Sequence, residues 1–368
     1  MPTNNTRLQI ARRLLPLAAA VSVLTATVAP AAHANPRILV DVKSGQVLEH
    51  EDAFRKWYPA SLTKLMTIYT VFNAVRAGEL TLESPVTMTQ RAASQPASKM
   101  YYKPGQKMTL DSALKILMVK SANDVAVAIA ETVSGSQDAF VARMNGDARR
   151  IGMNSSNFIN PHGLPGEGQY TTARDMAVLA VTLKRQFPEY AGYFSLEGFT
   201  TGKKNYPNFN LLIGRFEGAD GMKTGFICAS GFNQVSSATR NGRSVVSVVL
   251  GTESLGARAD ASADMLQAGL TARSGTGQTL ATLRPYGDVN TVADISAEIC
   301  SAKGKKVRSE GRDEVGRMKV NSPNIREMTR EPNFVFAGLI PGSEPEPAKK
   351  PGKGEIANVP IPQPRPTF

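Results

Sequence analysis

The chain has 368 residues, 42% of them hydrophobic and 20% charged, and a formal net charge of +12. That length allows one large or two ordinary domains with a real core. The positive balance suits work beside anionic envelope polymers or lipid head groups, and the lack of any basic-aromatic motif argues against a nucleic-acid partner.

The opening 34 residues are expected to lie outside the fold. "MPTNNTRLQIARR" carries Arg7, Arg12 and Arg13, "LLPLAAAVSVLTATVAP" is apolar, and "AHA" ends at Ala34. A basic stretch, a short apolar stretch and a small-x-small site together predict a secretory signal peptide and an exported, periplasmic or envelope location. An uncleaved anchor is the alternative, but the apolar stretch is short and broken by Pro16 and several threonines. Removing those three arginines and no acid takes the charge from +12 to +9. Cys228 and Cys300 then face an oxidising compartment, and the sequence leaves open whether they pair.

"RILVDVKSGQVLEHE" alternates apolar and polar residues around Ser44-Gly45 and predicts a β-hairpin. From Ala60 to Val75, residues Leu62, Leu65, Met66, Tyr69, Phe72 and Val75 recur at helical spacing, and Gly78 closes the helix. "LDSALKILMVKSANDVAVAIAETVSG" reads as two apolar helices interrupted by a polar "KSAND". "DAFVARMNGDARRIG" and "TARDMAVLAVTLKRQF" are amphipathic helices, and "GADGMKTGF" is a glycine-punctuated approach to a strand. "SVVSVVLG" is a β-branched strand, and "RADASADMLQAGLTAR" is a last helix. Strands early and late around a helical middle predict an α+β sandwich whose sheet joins both ends of the chain. The expected core domain is 35–273. A less regular region follows over 274–340, with room for a small β-module, and 341–368 is a Pro-rich, charged tail.

Several chemistries lack their residues. With the signal removed, only His50 and His162 remain, and the chain has no HExxH, CxxC, GxSxG or phosphate-loop motif. No metal or cofactor is therefore expected, and any nucleophile needs a base other than histidine. "YPASLTKLMT" supplies that pair, because Ser61 and Lys64 at i and i+3 share one helix face. Pro59 would place Ser61 in the first turn, where free N–H groups and the helix dipole favour developing negative charge. A lysine serves as base only when neutral, which takes burial and a neighbouring cation. Ser112 and Lys115 repeat the spacing behind an ordinary helix start and read as structural. Ser121-Ala122-Asn123 interrupts an apolar helical pair, where polar groups are otherwise costly. Lys223-Thr224-Gly225 occurs once, at a strand, where a side-chain-free residue lets a peptide backbone lie close.

In this order the three motifs resemble the penicillin-recognising serine enzymes. Within that group, "PASLTKLMT", "KPGQKMTL", "KSANDVAVAIAE", "FVARMNGDARRIGM", "NPHGLPGEGQYTTARDMA" and "DGMKTGF" resemble the low-molecular-mass D-alanyl-D-alanine carboxypeptidases, over roughly Arg37 to Arg273. The resemblance implies a three-layer α/β/α sandwich around an antiparallel sheet, with an all-helical half. It implies that Ser61 attacks the penultimate D-Ala carbonyl of a peptidoglycan stem peptide and that Lys64 takes its proton. The N–H groups of Ser61 and Phe226 would form the oxyanion hole. Ser121 would pass a proton to the leaving amine and Asn123 would hold the substrate amide. Lys223, Thr224 and Gly225 would receive the terminal carboxylate end, and β-lactams would acylate Ser61.

The chain departs from that pattern in its second motif and at its C-terminal end. Ala122 stands where these carboxypeptidases usually carry glycine, which matters only if the backbone there needs φ > 0. Glu167 lies in no E-x-x-L-N pattern, which weighs against a β-lactamase, and a non-catalytic wall-binding protein on the same fold is the other rival. His162 reads as a structural loop residue. The C-terminal end lacks the amphipathic anchoring helix of several relatives, so at most a loose envelope association is expected.

Overall fold

Alternation in "RILVD" gives the first strand of the sheet two different faces. In the computed structural model, which describes residues 1, 35–310 and 319–343, Ile38 and Val40 turn into the main core while Leu39 packs into a second, smaller one. The expected signal peptide and the tail from 344 lie outside the described residues.

In chain order, β1 (Arg37–Asp41), β2 (Val47–Glu51) and β3 (Lys56–Trp57) precede a 3₁₀ turn over Ala60–Leu62 and α1 (Thr63–Arg76). Next come β4 (Pro85–Thr87), α2 (Gln90–Ala93), β5 (Lys107–Thr109), α3 (Leu110–Val119), α4 (Asn123–Ser134), α5 (Gln137–Arg150) and α6 (Ala173–Gln186). A 3₁₀ stretch over Pro188–Phe194 leads to β6 (Gly198–Thr200), β7 (Asn205–Pro207), β8 (Ala219–Ile227), β9 (Gly231–Arg240), β10 (Arg243–Thr252) and α7 (Leu255–Thr271). The chain continues through β11 (Val292–Ala293), α8 (Ser296–Ile299), α9 (Ala302–Glu310) and β12 (Phe334–Phe336). Side-chain oxygens of Thr109, Ser136, Thr172 and Ser254 cap the starts of α3, α5, α6 and α7, satisfying amides that a helix start leaves open.

The main sheet is antiparallel, in the order β2-β1-β10-β9-β8, so strands from both ends of the chain share it. Helix α7 covers the face with Leu39, Val245 and Val249, through Ala259, Ala263 and Leu266. The other face, with Ile38, Val40, Val246 and Val248, packs on α6 and the helical half. The result is the α/β/α layering the resemblance implied. Phe72 of α1 meets Phe187, Tyr190, Tyr193 and Phe194. Truncating such a residue costs roughly 3–5 kcal/mol, so the helix that follows Ser61 is fixed by its far end.

Several elements differ from the sequence reading. Ser61 lies in the 3₁₀ turn just ahead of α1 rather than within its first α-helical turn. "GADGMKTGF" is itself β8, an edge strand, and "GFNQVSSATR", which gave no strand signal, is the strand β9 beside it. In β9 Asn233, Gln234, Ser236 and Ser237 are all buried, so polarity concealed an interior strand. The two short strands of 274–340 form no module of their own: β11 pairs with β3 and β12 with β6. Leu280, Leu283, Ala293 and Ala337 join the main core, so this stretch is a strap across the preceding fold. Cys228 and Cys300 are disulfide-bonded at a sequence separation of 72, which contributes up to about 4 kcal/mol by loop-closure entropy.

Candidate active site

One cleft of about 390 Å³ is lined by residues from all three motifs, among them Ser61, Ser121, Asn123, Thr224, Gly225 and Phe226. Lys64 lies beneath it, fully buried. The 3₁₀ turn, the break between α3 and α4, and the edge strand β8 each contribute one motif, which is why the residues sit so far apart in sequence.

Lys64 Nζ stands 3.1 Å from Ser61 Oγ, 2.8 Å from Asn123 Oδ1 and 2.7 Å from the His162 carbonyl oxygen. Two of those partners are oxygens that only accept, and the third is a hydroxyl that can donate. A neutral amine fits this set: two N–H bonds go to Asn123 and His162, and the lone pair is left for the Ser61 hydroxyl. Burial, followed by the charge of Lys223, holds the Lys64 pKa well below the ordinary lysine value, against a smaller opposing pull from Asp124. Burial and the Lys223 charge therefore favour an unprotonated amine, and the geometry places its lone pair within reach of the Ser61 hydroxyl.

Gly225 explains how β8 reaches the nucleophile. A Cβ there would stand 3.0 Å from Ser61 N and 3.2 Å from both Ala60 Cβ and Leu62 N. Glycine thus brings the Phe226 end of the strand against the amide of Ser61. Gly163, at φ +90°, makes a similar approach, since its Cβ would fall on the Ala60 carbonyl. Two non-glycine residues in the left-handed region flank the cleft, Ala60 at φ 46° and Ser121 at φ 60°. Such conformations cost about 1–3 kcal/mol each and persist where surrounding structure enforces them. Ala122 has φ −68°, so the backbone makes no demand for glycine there. The Ser121 hydroxyl is buried without a hydrogen-bond partner among the described residues.

Asn123 is engaged at both ends, accepting from Lys64 and donating through Nδ2 to the Pro96 carbonyl at 3.0 Å. Its main-chain N–H donates to Ser98 O at 2.7 Å. Asp124 is fully buried and accepts from the N–H groups of Met100 and Tyr101, fixing the loop whose Ala97 and Ser98 form one wall of the cleft. His162 lines the cleft, and its Nδ1 accepts from Leu164 N–H. Burial, then the nearby Lys64, pushes its pKa down to about 3, so the ring is neutral at ordinary pH.

The sequence reading missed Arg258. It lies on the buried side of α7, 2% exposed, and lines the cleft. Among the described residues its only hydrogen bond is from Nη2 to the Phe209 carbonyl at 3.2 Å, and its Nε has no partner. Lys223, also 2% exposed, donates to the Thr224 carbonyl at 2.9 Å. Burial, then Arg258, brings the Lys223 pKa to about 7, and burial brings that of Arg258 to about 9. Two buried basic groups whose hydrogen bonds go to main-chain carbonyls make a site suited to an anion. The available signal was a lone arginine on the face of α7 that otherwise shows Ala259, Ser262, Ala263 and Leu266. Among the described residues, no cluster of three or more His, Cys, Asp or Glu side chains could hold a metal.

The family model described as D-alanyl-D-alanine carboxypeptidase matches residues 23–254. The chain is 39% identical over 232 residues to D-alanyl-D-alanine carboxypeptidase DacC of Escherichia coli, a match that covers 61% of this chain and 58% of that relative's length. It is 33% identical over 312 residues to DacA of Haemophilus influenzae, covering 81% and 79% of the two chains. The solved penicillin binding protein 5 of Haemophilus influenzae superposes with a TM-score of 0.61 at 34% identity, over 65% of this chain and 71% of that one. Penicillin-Binding Protein D2 of Listeria monocytogenes, solved in an ampicillin bound form, gives 0.60 at 28% identity, over 65% and 98%.

Proposed function

Since the chain belongs to the D-alanyl-D-alanine carboxypeptidase family, we propose that it removes the terminal D-Ala from peptidoglycan stem pentapeptides through an acyl-enzyme on Ser61, and that β-lactams acylate the same oxygen. The observation that carries this reading is the fully buried Lys64 amine, 3.1 Å from Ser61 Oγ and held there by Asn123 Oδ1 and the His162 carbonyl oxygen.

The substrate's C-terminal carboxylate enters between Thr224 and Arg258, drawn by the charges of Arg258 and Lys223. Ser61 Oγ attacks the penultimate D-Ala carbonyl as Lys64 accepts the hydroxyl proton. The N–H groups of Ser61 and Phe226 receive the oxyanion, a type of contact worth about 3–4 kcal/mol per donor. The tetrahedral adduct collapses with cleavage of the C–N bond, and Ser121 relays the proton from Lys64 to the departing D-Ala amine. Water, deprotonated by the same lysine, then splits the ester and regenerates Ser61. Asn123 holds Lys64 in place and offers its remaining Oδ1 lone pair to the substrate amide.

Export follows from the basic, apolar and small-residue succession before Asn35. No helix among the described residues is long and apolar enough to cross a membrane. The site-bearing unit is 35–273, with the described residues of 274–340 strapped over it.

Intact-mass measurement after mixing the protein with benzylpenicillin tests the reading. A lasting penicilloyl adduct on Ser61, with D-Ala release from a pentapeptide, is expected. Rapid turnover of the drug would mean a β-lactamase, and no adduct with intact drug would mean a binding protein.

A further inference from the structure

The strap reaches the active site at one point. Cys228, three residues beyond Gly225, is disulfide-bonded to Cys300 between α8 and α9. The adjacent Ala229 carbonyl accepts from Ile295 N–H at 3.1 Å, and Trp57, paired with Ala293 of β11, donates through Nε1 to the Ser230 carbonyl at 2.9 Å. These ties hold the α8–α9 corner against the end of β8. From there α9 places the Arg308 guanidinium 5.3 Å from the ring centroid of Phe226. Phe226 is 37% exposed, lines the cleft, and packs on Phe232 with centroids 4.3 Å apart. The α9 sequence "AKGKKVRSE" adds three lysines against one acid.

The direction of β8 gives this corner a meaning. An extended peptide that adds to an edge strand takes main-chain hydrogen bonds along it, with its side chains at fixed intervals of about 3.3 Å per residue. With its carboxylate at Thr224 and Arg258 and its scissile carbonyl at Phe226 N–H, the peptide's upstream residues run toward Ile227 and Cys228. The side chain preceding the two D-Ala residues therefore passes the Phe226–Arg308 pair.

We propose that Arg308, fixed over Phe226 by the Cys228–Cys300 link, is a specificity-determining residue that reads a carboxylate on the substrate side chain immediately before D-Ala-D-Ala. This rests on the carboxypeptidase reading and adds the chemistry of the acyl side: an anionic side chain is favoured over a carboxamide or an amine. Phe226 supplies an apolar floor, and the guanidinium over its ring supplies the charge that attracts the carboxylate.

Two pentapeptides that differ only in a carboxylate or a carboxamide on that side chain test the inference, with kcat/KM for D-Ala release measured at low ionic strength. The wild type should prefer the carboxylate about fivefold, the size of a partly exposed ion pair, and added salt should reduce the preference. Arg308→Glu should bring the ratio to one or below, whereas Arg308→Lys should keep part of it. Because the readout is a ratio between two substrates, any shared change in activity cancels. An equal ratio in wild type and Arg308→Glu overturns the inference while leaving the carboxypeptidase reading intact. Failure of the wild type to cleave either peptide, with no penicillin adduct, removes the premise itself and is recognised by that adduct assay.

Discussion

Arg258→Met takes a buried cation out of the cleft wall while keeping a chain of similar length. Burial brings the Arg258 pKa down to about 9, well below the ordinary arginine value, which corresponds to roughly 5 kcal/mol against the charged form. Between the folded and the ordinary value the unfolded chain binds more protons than the folded one, so stability rises with pH in that window. At neutral pH the whole penalty is present. Packing of the arginine stem and the bond to Phe209 O offset part of it, so the substitution should stabilise the free protein by about 1–3 kcal/mol. For a protein of this size that is a rise in melting temperature of about 2–4 °C per kcal/mol. The same change removes the arginine partner of the substrate carboxylate and leaves it Thr224 and the Lys223 charge, which should cost about 2–4 kcal/mol, or roughly thirty- to a thousandfold in kcat/KM. Thermal unfolding followed by circular dichroism, run beside kcat/KM for a free-acid peptide and its C-terminal amide, reads both effects. The variant should melt higher, lose the free acid selectively and barely change the amide. A variant that melts lower and loses both substrates equally would refute the reasoning and make Arg258 a structural residue.

Acylation of Ser61 should fall as pH drops through the folded pKa of Lys64, because the amine is a base only above that value; the acid limb of kcat should lie at higher pH than that of kcat/KM, as pH-rate profiles will show. Lys64→Arg, whose guanidinium is a far weaker proton acceptor than a neutral amine at neutral pH, should slow penicillin acylation by roughly 10²–10⁴-fold in a time-resolved mass assay. Gly225→Val places carbon within 3.0 Å of Ser61 N and must displace either the nucleophile turn or β8. Loss of acylation on the order of 10²-fold is expected, and a normal rate would show that the strand does not set the nucleophile's position.

How much of this arrangement the sequence disclosed depended on how local each signal was. The α1, α3, α4 and α6 helices announced themselves through apolar spacing, capping oxygens and closing glycines, all of which act within a few residues. The Ser61–Lys64 pair was equally local, and its neutral amine followed from asking what a buried lysine must do. Strand β9 gave no signal, because Asn233, Gln234, Ser236 and Ser237 are buried by neighbours distant in sequence. Its polar groups are tied off by partners such as Asn210, which donates to Gly221 O while accepting from Gln234. The strap was invisible for a related reason: β11 and β12 are only 2 and 3 residues long and exist because β3 and β6 offer edges. Cys228 and Cys300 could be noticed but not paired until their Cα atoms were found 5.6 Å apart.

Arg258 was the costliest omission, because it links two tasks that the motifs present as separate. Lys223 lowers the proton affinity of Lys64, and Arg258 does the same to Lys223. Burial is the first cause of the unprotonated base, and the Lys223 charge, which also attracts the substrate carboxylate, is the second. When the carboxylate arrives between Thr224 and Arg258, it cancels part of that field. Lys64 then becomes a stronger base just as it must take the Ser61 proton, and the rise belongs to the complex rather than to the free enzyme. A peptide with an amidated C-terminus fills the cleft without supplying that charge. It should therefore lose rate in the chemical step as well as affinity, which a simple anion-binding pocket would not require.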